Sequence, residues 1–308
     1  MPLPTRVLVT GGAGFLGSHL VRRLVRLGVE VRVLDDLSGG SLEALPPEVR
    51  ERGFHRGDVR DASVLASAVD GCEAVVHLAA RPVPWDGPEE GYDVGVRGTL
   101  ALLRVARDRG VARLVHASSS SIYGVAGAPP QGEGRAPGPV SLGGACKVAS
   151  EATVRAFAEA GAFQAVVLRF FHVYGPGRAR SPSPGVLVRF GREVAAGRPP
   201  QVHGSGEVLR DFVHVDDAVE AVRLSLERRL GSWTLANVGT GVGTNLRDAA
   251  EAVATALGRP DLDPISVDPP PGPRVSAFAD LRYSRSSLGF LPKVTLSEGL
   301  GRKDFHLP

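Results

Sequence analysis

The run TGGAGFLGSH at residues 10–19 limits what this chain can fold into more than any other feature. It begins at the end of the β-branched segment RVLVT, and leucines recur behind it at helical spacing. Gly11 permits a tight turn, Gly14 lets the backbone approach a diphosphate, and Gly17 lets a helix pack on the sheet. The run therefore predicts a strand, a turn and a helix whose N-terminus faces a negatively charged group.

Apolar runs alternate with amphipathic stretches through the first 174 residues, and 43% of the 308 residues are hydrophobic, enough for a sizeable core. Strands are predicted at residues 6–10, 29–36, 74–80, 112–120 and 163–171. Helices are predicted at residues 15–27, 90–110 and 143–160. This alternation predicts an α/β fold with a Rossmann-type, doubly wound parallel sheet.

Beyond residue 175 the chain is rich in proline and glycine, which predicts loops around short helices at residues 185–197, 215–228 and 245–257. We divide the sequence into a Rossmann domain over residues 1–174 and a smaller C-terminal substrate-binding lobe over residues 175–308. The boundary is approximate and the lobes are expected to interleave. Because ligands of open α/β sheets bind at the carboxyl ends of the strands, we expect the lobe to close over that edge.

Charge and cysteine content exclude several classes of function. The net charge is +3, and the arginines are spread over mixed-sign helical faces, which argues against nucleic-acid binding and suits an anionic small molecule. Two cysteines, Cys72 and Cys146, cannot build a disulfide framework, and their spacing suggests no metal site. Since the sequence shows no leader segment and no apolar stretch of about 18 residues, we expect a cytoplasmic protein that does not enter membranes.

Asp35 closes the second predicted strand at the distance, about 20 residues, where a carboxylate can bind the hydroxyls of an adenosine ribose. Its charge would repel a 2′-phosphate, which favours NAD over NADP as the cofactor. Asp58 and Val59, in the segment RGDVRD, stand at another strand end and are expected on the adenine side. The alternative is a glycine-rich turn followed by a surface aspartate, with no ligand.

Further motifs follow along the chain: LDDLSGG, GDVRD, VVHLAA, SSSSIYG, ACKVASE, LRFFHVYGPG, GSGEVLRDFVHVDDAVEA, NVGTG and LSEGL. With the glycine run they resemble, over nearly the whole chain, the extended short-chain dehydrogenase/reductases of the NAD-dependent sugar-nucleotide epimerase/dehydratase family, which include UDP-glucose 4-epimerases. The resemblance implies reversible hydride transfer, in which NAD takes hydride from a sugar carbon while a base takes the hydroxyl proton. It also implies a UDP- or dTDP-hexose or uronate as substrate, and a homodimer formed through the helices at 90–110 and 143–160.

The resemblance assigns roles to individual residues. Ser119 and Lys147 are implied as catalytic residues, and Lys147 would also bind the nicotinamide ribose. Contacts to NAD are implied for Gly11, Gly14, Phe15, Leu16, Gly17, Asp35, Leu37, Ser38, Asp58, Val59, Leu78, Ala79, Ala80, Lys147 and Phe170. Contacts to the substrate are implied for Ser119, Ser120, His172 and Arg210, with Arg210 as the cation on the diphosphate. Because Ser120 and Ser121 stand where dehydratases of this family carry an Asp-Glu pair, an epimerase-like or dehydrogenase-like reaction is favoured.

Two glycines depart from the family pattern. The catalytic tyrosine corresponds to Gly143, and the usual asparagine near the lysine corresponds to Gly95. A tyrosine at 143 would stand one helical turn before Lys147, on the same face, where the ammonium would lower the tyrosine pKa. Glycine moves no proton, and a positioned acid or base contributes about 10²–10⁴-fold in rate. We therefore expect a 4-epimerase-like enzyme with impaired or altered acid–base chemistry.

Alternatives to this expectation stay open. The chain is a binding protein that keeps the cofactor fold without turnover, a deliberately inactivated variant one substitution away from SLYGACK, or an enzyme with a substrate hydroxyl or bound water in the space of the tyrosine. Tyr123, His172 and Cys146 are candidates for a substitute acid or base. Their favoured roles are structural for Tyr123, phosphate binding for His172 and packing for Cys146.

Overall fold

The computed structural model describes residues 2–178, 184–269 and 272–302. The strands in this part of the chain are β1 (Arg6–Thr10), β2 (Glu30–Asp35), β3 (Phe54–Arg56), β4 (Ala74–His77), β5 (Arg113–Ser119), β6 (Gln164–Phe170), β7 (His172–Tyr174), β8 (Gln201–His203), β9 (Leu209–Arg210), β10 (Phe212–His214), β11 (Trp233–Val238), β12 (Thr244–Asn245) and β13 (Ile265–Val267). The helices are α1 (Phe15–Arg26), α2 (Pro47–Arg52), α3 (Ala62–Val69), α4 (Glu89–Tyr92), α5 (Thr99–Asp108), α6 (Leu142–Glu159), α7 (Val186–Ala195), α8 (Val215–Glu227), α9 (Leu246–Ala256), α10 (Arg282–Leu288) and α11 (Leu296–Leu300). Short 3-10 turns lie at Leu42–Ala44 and Ser120–Ile122, and a π-helix at Asp93–Gly98.

Seven strands of the described chain form one parallel sheet, in the spatial order β3–β2–β1–β4–β5–β6–β11. This order confirms the predicted Rossmann-type, doubly wound sheet, because the sheet grows outward from β1 in one direction and then, from β4, in the other. Parallel pairing brings the carboxyl ends of the strands to one edge of the sheet. Five of the strands end there in Thr10, Asp35, His77, Ser119 and Phe170.

The central strands are continuous apolar runs because helices cover both faces of the sheet. Val7 and Val9 of β1 pack in one cluster with α1 and α8, whereas Leu8 between them packs with α3, α5 and α6. All three side chains are fully buried. Burying a side chain of this size stabilises the fold by roughly 1.5–3 kcal/mol, so the two layers hold the strand ends in place.

From residue 172 onward the chain builds a smaller lobe. The strand pairs β7–β10, β8–β13 and β9–β12 lie beside α7 and α9, and Phe190, Phe212 and Val253 belong to the core of this lobe. In contrast, β11 and α8 return to the large sheet, where β11 pairs with β6 and α8 packs against α1. Elements of the large sheet therefore come from both sides of residue 175.

The structure differs from the sequence-based elements in two places. The predicted helix at 90–110 contains the π-helix Asp93–Gly98, in which Thr99 Oγ1 donates to the Gly95 carbonyl; glycines at 95 and 98 favour such an irregularity because their helix propensity is low. Strand β11 is absent from the prediction, since it lies in a region assigned to loops and short helices. Residues 179–183 and 270–271 of two predicted loops lie outside the described residues. Among the described helices, none combines the length and apolar character that crossing a membrane requires.

Candidate active site

A cleft of about 810 Å³ opens at the carboxyl edge of the sheet. The predicted site residues that line it are Gly11, Gly14, Phe15, Leu16, Gly17, Asp35, Ser38, Asp58, Val59, Leu78, Ala79, Ala80, Ser119, Ser120, Phe170, His172 and Arg210. Of the predicted residues, Leu37 and Lys147 are not part of this lining. Most of the predicted site residues therefore lie on one continuous surface, although they come from distant parts of the chain.

The glycine run forms a cradle at one end of the cleft. Gly11 has φ +69°, and a Cβ there would lie 2.7 Å from the backbone nitrogen of Ala79, so no other residue fits without a shift. Gly14 is the N-cap of α1 and provides no side-chain cap, which leaves the first-turn N–H groups free to face a ligand. A helix N-terminus with open N–H groups suits a pyrophosphate.

Asp35 is held by its neighbours with its carboxylate at the cleft. Its Oδ2 accepts from Ala13 N (2.9 Å) and its Oδ1 from Leu37 N (2.8 Å). Desolvation raises the pKa of Asp35, while these two backbone hydrogen bonds oppose the rise. Leu37 adopts φ +64°, a conformation unusual for leucine, so its backbone orients Asp35 and does not itself line the cleft. A cradle for a pyrophosphate beside an oriented carboxylate for a ribose fits NAD.

Ser119 and Lys147 lie toward the other end of the sheet edge. Ser119 ends β5 and its Oγ accepts from Ser121 N (3.1 Å). Lys147 lies on α6 and its Nζ donates to the Ala117 carbonyl of β5 at 2.6 Å. Desolvation lowers the pKa of Lys147 to about 8, and the neighbouring Glu151 carboxylate opposes this. The lysine thus stays cationic near neutral pH and bonds to β5 two residues before Ser119, without lining the cleft itself.

Gly143 and Gly95, the two glycines at which the sequence was expected to depart from the family pattern, have open surroundings. A Cβ at Gly143 would meet nothing within 4 Å, apart from its chain neighbours and its own helix. At Gly95 a Cβ would meet only the Cβ of Cys146, at 3.9 Å, an ordinary contact. Neither glycine is therefore required by its surroundings, in contrast to Gly11.

Two of the candidate acid–base groups, Tyr123 and Cys146, are held in states that do not suit proton transfer. Tyr123 is fully buried, and its hydroxyl donates to Asn237 Oδ1 (2.7 Å) and accepts from Arg169 (3.1 Å). Burial raises the pKa of Cys146, so its side chain is a thiol at neutral pH. Neither group offers a ready base.

A buried ion pair ties α6 to β6 beneath the cleft. Arg169 bonds to both carboxylate oxygens of Glu151, from Nη2 at 2.8 Å and from Nε at 3.0 Å. Ser118 Oγ also donates to Glu151 Oε1. Because Glu151 is one turn after Lys147 and Ser118 precedes Ser119, the pair fixes both elements that carry the predicted catalytic residues.

Positive charge collects at the end of the cleft where the sequence predicts the substrate-binding residues. Arg210 donates to the carbonyls of Leu209 (3.1 Å) and Val275, and burial lowers its pKa. His172 lies nearby, and desolvation, together with Arg210 and Arg178, lowers the pKa of His172 to about 3. The imidazole is thus neutral at physiological pH, so the arginines supply the charge that can bind an anion.

Two cleft residues, Arg178 and Arg81, were not anticipated from the sequence. Arg81 follows β4 and pairs with Asp36 at 2.8 Å, which joins the loops after β4 and β2. Arg178 follows β7, in a stretch that the sequence identifies only as a Pro- and Gly-rich loop. An arginine next to a strand end is the one signal that could have marked either residue.

A buried histidine predicts how stability depends on pH. His77 Nδ1 lies 2.7 Å from Thr10 Oγ1, and its Nε2 lies 3.0 Å from Thr99 Oγ1. Desolvation, with a smaller contribution from Lys147, lowers the pKa of His77 to about 3. The unfolded chain, with a histidine pKa near about 6.5, binds more protons between these values, so stability is lost as the pH falls through this window.

We expect the free energy of unfolding to fall by up to about 1.4 kcal/mol per pH unit for this histidine below about pH 6.5. Urea denaturation at neutral pH and in steps below about pH 6 measures the slope. The variant His77→Gln should show a shallower slope than the unmodified chain. Equal slopes for the His77 variant and the unmodified chain would contradict the assignment.

Known proteins are similar to this chain in sequence and in fold. Residues 7–239 match the NAD dependent epimerase/dehydratase family. A UDP-glucose 4-epimerase of Mycolicibacterium smegmatis is 36% identical over 306 residues, a match that covers 96% of each chain. The structure of Thermotoga maritima UDP-glucose 4-epimerase with UDP-glucose is similar with a TM-score of 0.88, 31% identity and 96% of each chain covered. The Thermus thermophilus UDP-glucose 4-epimerase in complex with NAD gives a TM-score of 0.85, 35% identity and 98% of each chain covered.

Proposed function

The chain belongs to the NAD-dependent epimerase/dehydratase family, and from this premise we propose that it acts on a nucleotide sugar. The substrate is a UDP- or dTDP-linked hexose or uronate, and the reaction is a reversible 4-epimerase type of hydride transfer with weakened acid–base chemistry. NAD supplies the hydride acceptor. The observation that carries the proposal is one cleft that has a cradle for a pyrophosphate at one end and, at the other, Arg210 and Arg178, neither of which pairs with a carboxylate among the described residues.

The chain's own residues would divide the work along the cleft. Gly14 and the first turn of α1 hold the cofactor pyrophosphate, and Asp35 holds the adenosine ribose. Arg210 holds the diphosphate of the substrate, and Ser119 hydrogen-bonds the sugar hydroxyl whose proton leaves. Lys147 keeps a positive charge close to that hydroxyl, which favours loss of its proton. Water in the space beside Gly143 completes the proton transfer.

A second candidate function is binding of NAD and a nucleotide sugar without turnover. The open space at Gly143 favours it, together with the engagement of Tyr123 in buried hydrogen bonds. Conversion of UDP-glucose to UDP-galactose by the unmodified protein, followed by chromatography, separates the two candidates. Product above that of a sample without protein rules out the second candidate.

We also propose a homodimer in the cytoplasm. The outward face of α6 is lined with small side chains, at Ala145, Ala149, Ala152 and Ala156, so a partner helix could approach closely. Sedimentation velocity measures the assembly, and a single species of monomer mass would contradict the dimer. The two buried cysteines, Cys72 and Cys146, form no disulfide with each other, which suits a reducing compartment.

Ligand-induced stabilisation tests the proposed binding directly. NAD and UDP-glucose are each expected to raise the melting temperature, because a ligand at 100 times its Kd stabilises by about 2.7 kcal/mol. Differential scanning fluorimetry with NAD, NADP and a panel of UDP- and dTDP-sugars makes the measurement. Arg210→Gln should lose most of the UDP-glucose shift and keep the NAD shift. No shift with NAD or with any sugar nucleotide would contradict the proposed function.

A further inference from the structure

Arg178 lies between the two halves of the cleft. Its guanidinium carbon is 5.1 Å from the centre of the Phe15 ring, and Phe15 is the first residue of α1, whose N-terminus forms the cofactor cradle. Arg178 and His172 both line the cleft, and the charge of Arg178 contributes to the lowering of the His172 pKa. The guanidinium therefore lies within reach of both the glycine run and the substrate end.

The charge of Arg178 has no anionic partner in the described chain. Within residues 2–178, 184–269 and 272–302, its recorded hydrogen bond is from Nε to the Pro184 carbonyl at 3.2 Å, and no carboxylate forms an ion pair with it. Burial lowers the pKa of Arg178, yet a guanidinium remains protonated in proteins. A buried cation without a counter-charge is costly, so an anionic ligand would stabilise this arrangement.

We propose that Arg178 is shared between the pyrophosphate of NAD and the diphosphate of the nucleotide sugar, so that each ligand strengthens binding of the other. This inference rests on the proposed function. A guanidinium has five N–H donors in one plane, and the contact with the Phe15 ring uses none of them as hydrogen-bond donors, so they can serve acceptors from two ligands. Two diphosphates in one cleft repel each other, and a cation between them offsets that repulsion.

A shared Arg178 predicts that binding of NAD and binding of the sugar nucleotide are coupled. The other arginines of the cleft are not expected to couple the two ligands. Coupling free energies are reciprocal. If bound NAD raises the affinity for the sugar nucleotide by a certain factor, the bound sugar nucleotide raises the affinity for NAD by the same factor. Removing the shared cation should weaken both ligands. Because a charge-assisted hydrogen bond contributes substantially to binding, its loss is expected to lower the affinity for each ligand about tenfold.

The experiment compares Arg178→Gln, Arg210→Gln and, as a matched change on the exposed helix α2, Arg52→Gln. UDP affinity is measured by calorimetry on NAD-loaded protein, and NAD retention is measured by gel filtration followed by cofactor release. We expect Arg178→Gln to lower UDP affinity about tenfold and to speed NAD loss as well. Arg210→Gln should lower UDP affinity alone, and Arg52→Gln should change neither.

If Arg178→Gln weakens binding of one ligand only, or of neither, the shared role is overturned. The proposed function still stands in that case, provided that Arg210→Gln lowers UDP affinity. If the unmodified protein binds neither NAD nor UDP, the proposed function itself has failed. Arg178→Lys keeps the charge without the planar fork and should fall between the unmodified chain and Arg178→Gln for both ligands, which also serves if the glutamine variant does not fold.

Discussion

Replacing Gly143 with tyrosine is expected to raise the rate of 4-epimerisation of the substrate by about 10²–10⁴-fold, the contribution of a positioned acid or base. A Cβ at position 143 meets nothing within 4 Å beyond its own helix and chain neighbours, so a side chain can begin there without a clash. The phenol would stand one turn before Lys147, whose ammonium lowers the pKa of a neighbouring hydroxyl. Initial rates with a panel of UDP- and dTDP-sugars, before and after substitution, measure the gain.

Gly143→Phe is the matched control, because it fills the same space with a ring that carries no proton. We expect the phenylalanine variant to be no faster than the unmodified chain. If tyrosine and phenylalanine give equal rates, the hydroxyl is not the missing part. A gain with tyrosine alone would show that the remaining scaffold, including Ser119 and Lys147, is competent for the family reaction.

Replacing Glu151 with glutamine is expected to lower the free energy of unfolding by about 3–5 kcal/mol, because it leaves the guanidinium of Arg169 buried without a counter-charge. The pair is almost completely inaccessible, with side chains 4% and 9% exposed for Arg169 and Glu151. Urea denaturation at neutral pH measures the loss. The same substitution removes the carboxylate that opposes the lowering of the Lys147 pKa. The pKa of Lys147 should therefore fall further. Any rate that depends on the positive charge of Lys147 should then decline at a lower pH than in the unmodified chain.

Glu159→Gln is the matched control on the same helix. Glu159 faces solvent and pairs with Arg155 at 3.7 Å, and exposed pairs of this kind contribute about 0–1 kcal/mol. Replacing both Glu151 and Arg169 with methionine should cost much less than Glu151→Gln, since no charge is then buried alone. Equal losses for Glu151→Gln and Glu159→Gln would contradict the importance of the buried pair.

Local patterns in the sequence were sufficient for five of the seven strands of the large sheet and for the glycine-rich turn after β1. Gly11, Gly14 and Asp35 follow from spacing, because a strand, a turn and a helix are short-range structures. Strand β11 could not be found in this way, since its place beside β6 depends on a pairing across more than sixty residues of chain, from Phe170 to Trp233. The resemblance to a family located the rest of the predicted site residues.

Arg178 could be found neither from local sequence patterns nor from the family resemblance. Its importance comes from stacking on Phe15 and from the lack of a carboxylate partner among the described residues, both of which are properties of the folded structure. The role of Leu37 also depends on the folded structure. Its positive φ accompanies the hydrogen bond from its backbone N–H to the Asp35 carboxylate, and the sequence does not show this conformation. The local break of the helix at Asp93–Gly98 likewise depends on how Thr99 meets a carbonyl one turn earlier.

The return of β11 and α8 to the large sheet has a consequence for recombination between related proteins. A gene fragment ending at residue 174 would encode a sheet whose strand β6 has an open hydrogen-bonding edge and whose face beside α1 lacks the cover of α8. Such a fragment exposes apolar surface and an unpaired edge, both of which promote aggregation. Exchange of the C-terminal part as a module would therefore also have to supply matching partners for β6 and α1.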